Sequence, residues 1–430
     1  MTTRPWNERT ATQIVAAIAA GTTSCEAVMR DCLERIALRD GEVHAFASVD
    51  AGRALAAARE ADRATTRGPL HGVPFAVKDI IDTADLPTEW GTPLYAGRMA
   101  GRDSTCVALA RRAGGLLIGK AVTTEFANQH PGPTRNPRDL TRTPGGSSSG
   151  SAAAVADHMA PLAIGTQTTG STIRPSSFCG IFGFRPTYGR HRLFGVMEAA
   201  GSLDTLGLMA HSVEDIALFN DVLLGTAPVP VARPDTPPRI GFCRHVWDQV
   251  HPVVQAGIEA AVRRLEAAGA HITDVQLPAE FAGLTDAHRW ISSFEFVRTF
   301  TWEIDHHWEE ISPGLRSGRI ADGLSCDMER YMAATALAAR CRAQLDAEWP
   351  DCDIIVTAGA TGEAPVGWNA LAGADLYKMW TALHLPTLTM PALTGAEGMP
   401  VGIQLIGPRD ADRRLFAYAS WAWEVLDPAG

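Results

Sequence analysis

Gly145-Gly-Ser-Ser-Ser-Gly-Ser151 and Gly165-Thr-Gln-Thr-Thr-Gly-Ser171 bracket a short apolar span, Ala152 to Ile164. The span holds one short helix and one buried strand, so the two Gly/Ser-rich turns fall at element ends. Turns of this composition gather several backbone N–H groups in a small space, with hydroxyls among them. A site that carries a hydroxyl nucleophile and stabilises an oxyanion needs both. A third stretch, His71-Gly-Val-Pro-Phe-Ala-Val-Lys-Asp79, places a lysine directly after an apolar run. Lysine is seldom buried, so Lys78 has two readings. It is a strand-end lysine paired with a carboxylate, Asp79 standing beside it, or it is a base kept neutral by burial. The second reading joins Lys78, Ser147 and Ser171 into one catalytic unit.

Outward from these turns, strands and helices alternate. Val73–Val77, Leu116–Val122, Pro161–Ile164 and Phe182–Arg185 read as strands, and Ser104–Ala113 and Ser151–His158 as helices. The alternation predicts an α/β fold, with a mixed, largely parallel central sheet covered by helices on both faces. Sites in such sheets form outside the C-terminal strand ends, where Lys78 and the 165–171 turn lie. Residues 1–68 read as a helical layer, with Thr23-Ser-Cys-Glu26 as a capping box. Ser212-Val-Glu-Asp215 caps a helix running to about Leu224, and five prolines between 228 and 238 mark a surface connection. Strands resume at Arg239–Cys243, His271–Leu277, Asp353–Ala358, Pro386–Pro391 and Val401–Ile406. Long helices fill 284–348, and Arg413–Val425 is a closing amphipathic helix. Strands on both sides of the proline-rich bend argue for one continuous sheet. The expected organisation is one large domain over 1–430, with a catalytic core at 69–224 and a C-terminal part at 239–430.

Composition narrows the function classes. Apolar residues make up 46% of the 430, and the formal charge is −10. That balance argues against a nucleic-acid surface, which needs a basic stripe. Eight cysteines show no CxxC spacing and are too sparse for a disulfide framework, so reduced, buried thiols are expected. Met1-Thr-Thr-Arg-Pro-Trp-Asn-Glu lacks the apolar region of a signal peptide, and no apolar run is long enough to span a bilayer. The expectation is a soluble, cytoplasmic protein that does not engage membranes.

Competing chemistry is weaker. Gly146-Ser-Ser148-Ser-Gly150 fits the G-x-S-x-G nucleophile elbow, but that elbow follows a buried strand. Here polar Arg138-Asp-Leu-Thr-Arg-Thr-Pro144 precedes it. The 165–171 turn could form a backbone nest for an anion, yet no G-K-[ST] follows and no dinucleotide-binding spacing is present. His306-His307 has neighbouring carboxylates but no HExxH, so it reads as a solvated helix face and no metal site is expected.

Taken together, the three stretches resemble the amidase signature family of serine amidohydrolases. The resemblance spans nearly the whole chain. It runs through Gly68–Asp79, Gly119-Lys120 with Glu125-Phe-Ala127, Pro144–Ser151 and Gly165–Pro175. Phe178-Cys-Gly180, Arg185–Gly189, Ser202-Leu-Asp204, Asp353–Thr357 and Met399–Gly407 continue it. It implies a Ser–cis-Ser–Lys triad without a cofactor. Ser171 is then the nucleophile, Ser147 follows a cis peptide bond from Gly146 and relays protons, and Lys78 is the base. The amides of Thr168, Thr169, Gly170 and Ser171 receive the oxyanion, and Ser148 supports the site. Phe126, Ala127 and Asn128, with helices at 284–335, are placed beside the substrate.

The implied activity is hydrolysis of a small-molecule amide, with esters, anilides and carbamates as related substrates. The alternative is the A-type subunit of a tRNA-dependent amidotransferase, for which the chain is short. Oligomeric state is open, with a homodimer as the candidate assembly. Three positions depart from the usual pattern: Gln167 replaces aspartate, Thr169 replaces glycine, and Ile173 stands where an arginine is common, with Arg174 following. Trp290, Phe294, Phe296, Phe300 and Trp302 form either an apolar acyl pocket or, at helical spacing, core.

Overall fold

Every residue of the strands Pro74–Lys78, Leu116–Ala121, Leu162–Gln167 and Thr205–Ala210 is buried. That is the pattern of strands covered on both faces. The computed structural model, which describes residues 4–128, 130–368 and 373–427, joins them into one sheet of eleven strands. Met1–Thr3, the start of the stretch read for a leader, lie outside the described residues. In chain order the strands are β1 (Phe46–Val49), β2 (Pro74–Lys78), β3 (Leu116–Ala121), β4 (Leu162–Gln167), β5 (Phe182–Arg185) and β6 (Thr205–Ala210). They continue with β7 (Arg239–Phe242), β8 (His271–Asp274), β9 (Ile354–Ala358), β10 (Thr387–Thr394) and β11 (Pro400–Ile406). Their spatial order is β1-β3-β2-β4-β6-β5-β10-β11-β9-β7-β8.

The sheet is mixed, as the sequence pattern predicts, but not largely parallel: its parallel pairing is confined to two flanks. β2 lies between β3 and β4 in parallel register, and β7 pairs in parallel with β8 and β9. From β4 through β6, β5, β10 and β11 to β9, every pairing is antiparallel. β7, which follows the proline-rich connection, belongs to the same sheet as β2 and β4. Two strands escaped the sequence reading. β1 is a four-residue edge strand with partly exposed side chains, and β6 is interrupted by Gly207. A Cβ at Gly207 would lie 1.9 Å from Thr172 Oγ1, so this glycine lets the segment after the 165–171 turn approach the sheet.

Local chemistry moves one cap. The helix Cys25–Val43 starts at Ser24, whose side chain accepts from Ala27 N, rather than at Thr23. Asp62 takes the amides of Cys25 and Glu26 at 2.7 and 3.0 Å. Glu26 is thereby released to pair with Arg30 and Arg59. A reciprocal capping box exists one helix earlier, between Thr10 and Gln13. The Ser212 cap on Val213–Leu224 forms as predicted. All eight cysteines are free and buried, and no described helix is long and apolar enough to cross a membrane.

The topology fixes the site's position. β2 ends at Lys78 and its parallel neighbour β4 ends at Gln167, so both chains leave the sheet at the same edge. The crevice beyond those C-terminal ends is where α/β sheets present functional groups.

Candidate active site

Lys78 is fully buried, yet it forms no ion pair among the described residues. Its Nζ lies 2.7 Å from Ser147 Oγ and 2.8 Å from Thr166 Oγ1. The neighbouring carboxylate, Asp79, turns to the other side and meets Lys120 Nζ at 3.0 Å. Carboxylate pairing is therefore the property of Lys120. Burial pulls the pKa of Lys78 down to about 7, against the opposing pull of the Asp204 charge. A neutral amine beside a serine hydroxyl can accept its proton.

Ser147 follows a cis peptide bond from Gly146, and Arg174 Nη2 donates to the Gly146 carbonyl at 2.8 Å. The arginine one position later than usual thus reaches the peptide that presents Ser147. Ser147 and Ser171 open into the same cavity of about 420 Å³. No direct hydrogen bond joins their hydroxyls among the described residues, an arrangement common in hydrolase sites without substrate. Ser148 does not face this cavity. Its Oγ lies 3.2 Å from both the carbonyl and the amide of Thr166, so it ties the serine turn to the end of β4. The helix Ser149–Ala156 begins at once behind it.

The turn Thr168–Ser171 is held by its carbonyls. His288 Nε2 donates to Thr168 O at 2.8 Å, Thr381 Oγ1 donates to Thr169 O at 2.8 Å, and Arg174 N donates to Gly170 O at 3.0 Å. In a trans peptide the N–H points opposite to the carbonyl of the same unit. Anchoring these carbonyls therefore turns the amides of Thr169, Gly170 and Ser171 to the other side. None of those three amides is used by another hydrogen bond among the described residues. Gln167 takes the place of the usual aspartate with a neutral amide. Its Oε1 accepts from Thr172 N at 3.0 Å and Ile173 N at 3.1 Å. Thr169 lies outside the left-handed region, so glycine is not required there. Gly170 is needed for space, because a Cβ would stand 2.2 Å from the Tyr377 ring.

The expected substrate-side residues divide. Ala127 and Asn128 line the cavity. Phe126 does not: its ring packs 4.8 Å from Phe300 and 6.4 and 6.5 Å from Tyr95 and Trp90. Phe126 and Ala127 hold φ of 46° and 55°, a left-handed turn that costs roughly 1–3 kcal/mol per residue and brings Asn128 to the cavity. Of the aromatic residues of 290–302, the three phenylalanines follow the core reading, Trp290 packs partly buried against the core, and Trp302 is exposed and fits neither reading. Phe294, Phe296 and Phe300 are buried, and none of the five lines the cavity. The same helix, Leu284–Thr299, instead contributes His288, Arg289, Ser292 and Ser293. His306 is exposed and His307 partly so, as a solvated face requires.

Several residues of the site had no sequence signal of their own. His288, Thr381 and Arg319 are ordinary residue types that arrive from distant elements, and Thr166 sits unremarked inside the 165–171 stretch. Asp204 lies in Ser202-Leu-Asp204, one of the stretches that carry the resemblance, where the sequence gives it no role. It accepts from Thr168 Oγ1 at 2.5 Å and from the amides of Ala199 and Ala200.

The family profile described as Amidase matches residues 27–416. The chain belongs to the amidase signature family. Among curated relatives of this amidase-signature chain is the A subunit of the glutamyl-tRNA(Gln) amidotransferase of Cupriavidus necator. It is 32% identical and covers 96% of each chain. The protein of the same name from Chromohalobacter salexigens is 38% identical, over 98% of this chain and 97% of its own. The Cupriavidus alignment spans 484 positions against a chain of 430, so that relative carries insertions absent here. Among solved structures, a crystal structure of an amidase superposes with a TM-score of 0.90 at 28% identity, covering 97% of this chain and 100% of its own.

Proposed function

We propose that this chain cleaves a carboxamide C–N bond through an acyl-enzyme on Ser171. The observation that carries the reading is Lys78: buried, without a carboxylate partner among the described residues, 2.7 Å from Ser147 Oγ. Neutral Lys78 takes the Ser147 proton while Ser147 takes that of Ser171. Ser171 Oγ attacks the carbonyl carbon, and the amides of the 168–171 turn receive the oxyanion. Each such donor is worth about 3–4 kcal/mol of transition-state stabilisation. The proton returns through Ser147 to the leaving nitrogen, and the C–N bond breaks. Water, deprotonated through the same relay, then releases the acid and restores Ser171.

The curated relatives favour a second reading over a stand-alone enzyme: the A-type subunit of a tRNA-dependent amidotransferase. Ser171 would perform the same acyl transfer, and the ammonia released would pass to a partner protein that modifies charged tRNA. The missing insertions weigh on the other side. Both readings share the nucleophile and differ in whether the chain acts alone.

The test uses the purified chain alone. A fluorophosphonate is added and the modified serine is located by peptide mass spectrometry, with amide hydrolysis followed in parallel. Label on Ser171 with turnover of simple amides supports the stand-alone enzyme. Label on Ser171 with turnover only once partner proteins are supplied supports the second reading. Label on Ser148 overturns both.

A further inference from the structure

We propose that the helix Met328–Ala347 is the contact face of a symmetric homodimer, in which it packs antiparallel against the same helix of a second copy.

One side of this helix is occupied and the other is bare. Ala334, Ala338, Cys341 and Leu345 are buried, in one core cluster with Leu284, Ala287 and Ile291 of the helix Leu284–Thr299. Tyr331 stacks on Phe294 at 4.1 Å. At about 100° per residue, the opposite side presents Met328, Met332, Ala336, Ala339 and Ala343, all exposed. Met328 and Met332 are each 57% exposed, and Leu324, just before the helix, is 63% exposed. Neighbouring exposed apolar side chains of this size mark an interaction surface. The helix is already capped, with Asp327 accepting from Arg330 N at 2.8 Å, so docking on it orders little that is not ordered beforehand.

The distribution of residues along the face selects the occupant. Large apolar side chains stand in its N-terminal half and alanines in its C-terminal half. Two charges share one edge of it, Glu329 and Arg340; their separation is three helical turns to within about 20°. An antiparallel copy that brings its Arg340 level with Glu329 also brings its Glu329 level with Arg340, so a single register forms two ion pairs. In that register Met332 falls between Ala336 and Ala339 of the copy, and Met328 between Ala339 and Ala343. Large side chains meet small ones at both ends, and the interface closes on itself. A parallel copy would set methionine on methionine and Glu329 beside Glu329, which is repulsive.

Both charges are available for this pairing. Glu329 has no hydrogen-bond or ion-pair partner among the described residues. Arg340 is steadied by Glu280, whose Oε1 accepts from Nε at 3.1 Å and from Nη2 at 2.7 Å, and its Nη1 has no protein partner among the described residues. None of the residues on this face lines the catalytic cavity, to which the same region contributes Gly318, Arg319 and Asp322 from before the helix. Interface and site can therefore be tested apart.

The experiment is sedimentation velocity on the purified chain from about 1 to 200 μM, the range in which a contact of this size should associate. Wild type should pass from monomer to dimer as concentration rises. Ala336→Arg, an exposed change to a good helix former, should weaken association at least about 100-fold with an unaltered thermal melting curve. Glu329→Arg and Arg340→Glu should each weaken self-association roughly 10-fold, because each sets like charges opposite one another twice. An equimolar mixture of those two variants should form a heterodimer, since both ion pairs then re-form between unlike chains, and this gain excludes misfolding as the cause of the single losses. A wild-type chain that stays monomeric throughout, a dimer indifferent to Ala336→Arg, or a mixture that gains no heterodimer would each overturn the assignment. A monomeric chain that instead co-sediments with phosphatidylglycerol vesicles would overturn it too, and would give the face to a lipid surface.

Discussion

Lys78 Nζ and Ser147 Oγ are 2.7 Å apart, and among the described residues no carboxylate lies within ion-pair distance of the lysine, Asp204 acting on it only from farther away. A lysine with a pKa near 7 serves as base only in its neutral form, which sets the sign of the rate profile. The kcat/KM should fall about tenfold per pH unit below 7 and level off above it. Lys78→Ala should lose roughly 10³-fold in kcat. Lys78→Arg should be as inactive, since a guanidinium cannot give up its proton. Retained rate in Lys78→Arg would exclude the relay.

The same group makes a prediction about folding. Its pKa falls from 10.5 unfolded to about 7 folded, so between those values the unfolded chain binds the extra proton. Stability should therefore rise with pH across that window. Wild type minus Lys78→Met, compared by urea unfolding at pH 7, 8 and 9, isolates the contribution. The wild type should gain on the variant as pH rises, and a constant difference would refute the depressed pKa.

Gln167 and Thr381 brace the 168–171 turn and do not line the cavity. Gln167 Oε1 accepts the amides of Thr172 and Ile173, just past the turn, and its Nε2 donates to Thr381 Oγ1 at 3.4 Å. That hydroxyl in turn donates to Thr169 O. Gln167→Leu and Thr381→Val should each lower kcat roughly 10²-fold with little change in KM. Gln167→Glu keeps the accepting oxygen and should recover most of the rate. A loss in KM alone would place these residues on the substrate instead.

Lys78, Ser147 and Ser171 were legible in the sequence because they are improbable where they stand: a lysine closing an apolar strand, and serines packed among glycines. The supporting residues lacked that contrast. His288 lies 120 positions from Thr168, and Thr381 lies 212 from Thr169, so only the folded sheet reveals their partners. The pocket's character was hidden for a related reason. Trp290, Phe294 and Phe296 share a helix with His288 and Ser292, and only rotation of that helix shows which side faces the cavity. Phe126 was misplaced because its left-handed backbone carries the ring away while its neighbours stay. The Thr23 cap failed because Asp62, distant in sequence, supplies the carboxylate that Glu26 would otherwise offer.

Gly170 answers to packing. A Cβ at this position would lie 2.2 Å from Tyr377 Cδ2, and Tyr377 is pinned by its hydroxyl donating to Gly359 O at 2.8 Å. Gly170→Ala should displace the turn and lower kcat about 10²-fold, whereas Thr169→Gly should retain most activity because Thr169 needs no special backbone region. Steady-state kinetics with thermal melting as a folding control distinguishes the two. Equal losses would mean that the turn tolerates no change of any kind.

Asp79 and Lys120 provide a structural counterpart to the lone Lys78. Lys120 Nζ also contacts Thr88 Oγ1 at 2.5 Å and Pro87 O at 3.1 Å, and Asp79 Oδ2 accepts from Glu89 N at 3.1 Å. Both charges are buried, so removing one partner strands the other. Lys120→Met should cost about 3–5 kcal/mol at neutral pH. Burial already raises the Asp79 pKa to about 6, and loss of Lys120 raises it further. On acidification the stranded carboxylate takes up a proton and its penalty shrinks. The gap between wild type and Lys120→Met should therefore narrow from pH 7.5 to pH 5 in urea unfolding. Asp79→Asn combined with Lys120→Met should recover much of the loss at pH 7.5, because neither member is then left charged. An equal deficit at both pH values, with no recovery in the double variant, would show that Lys120 stabilises the fold by packing alone.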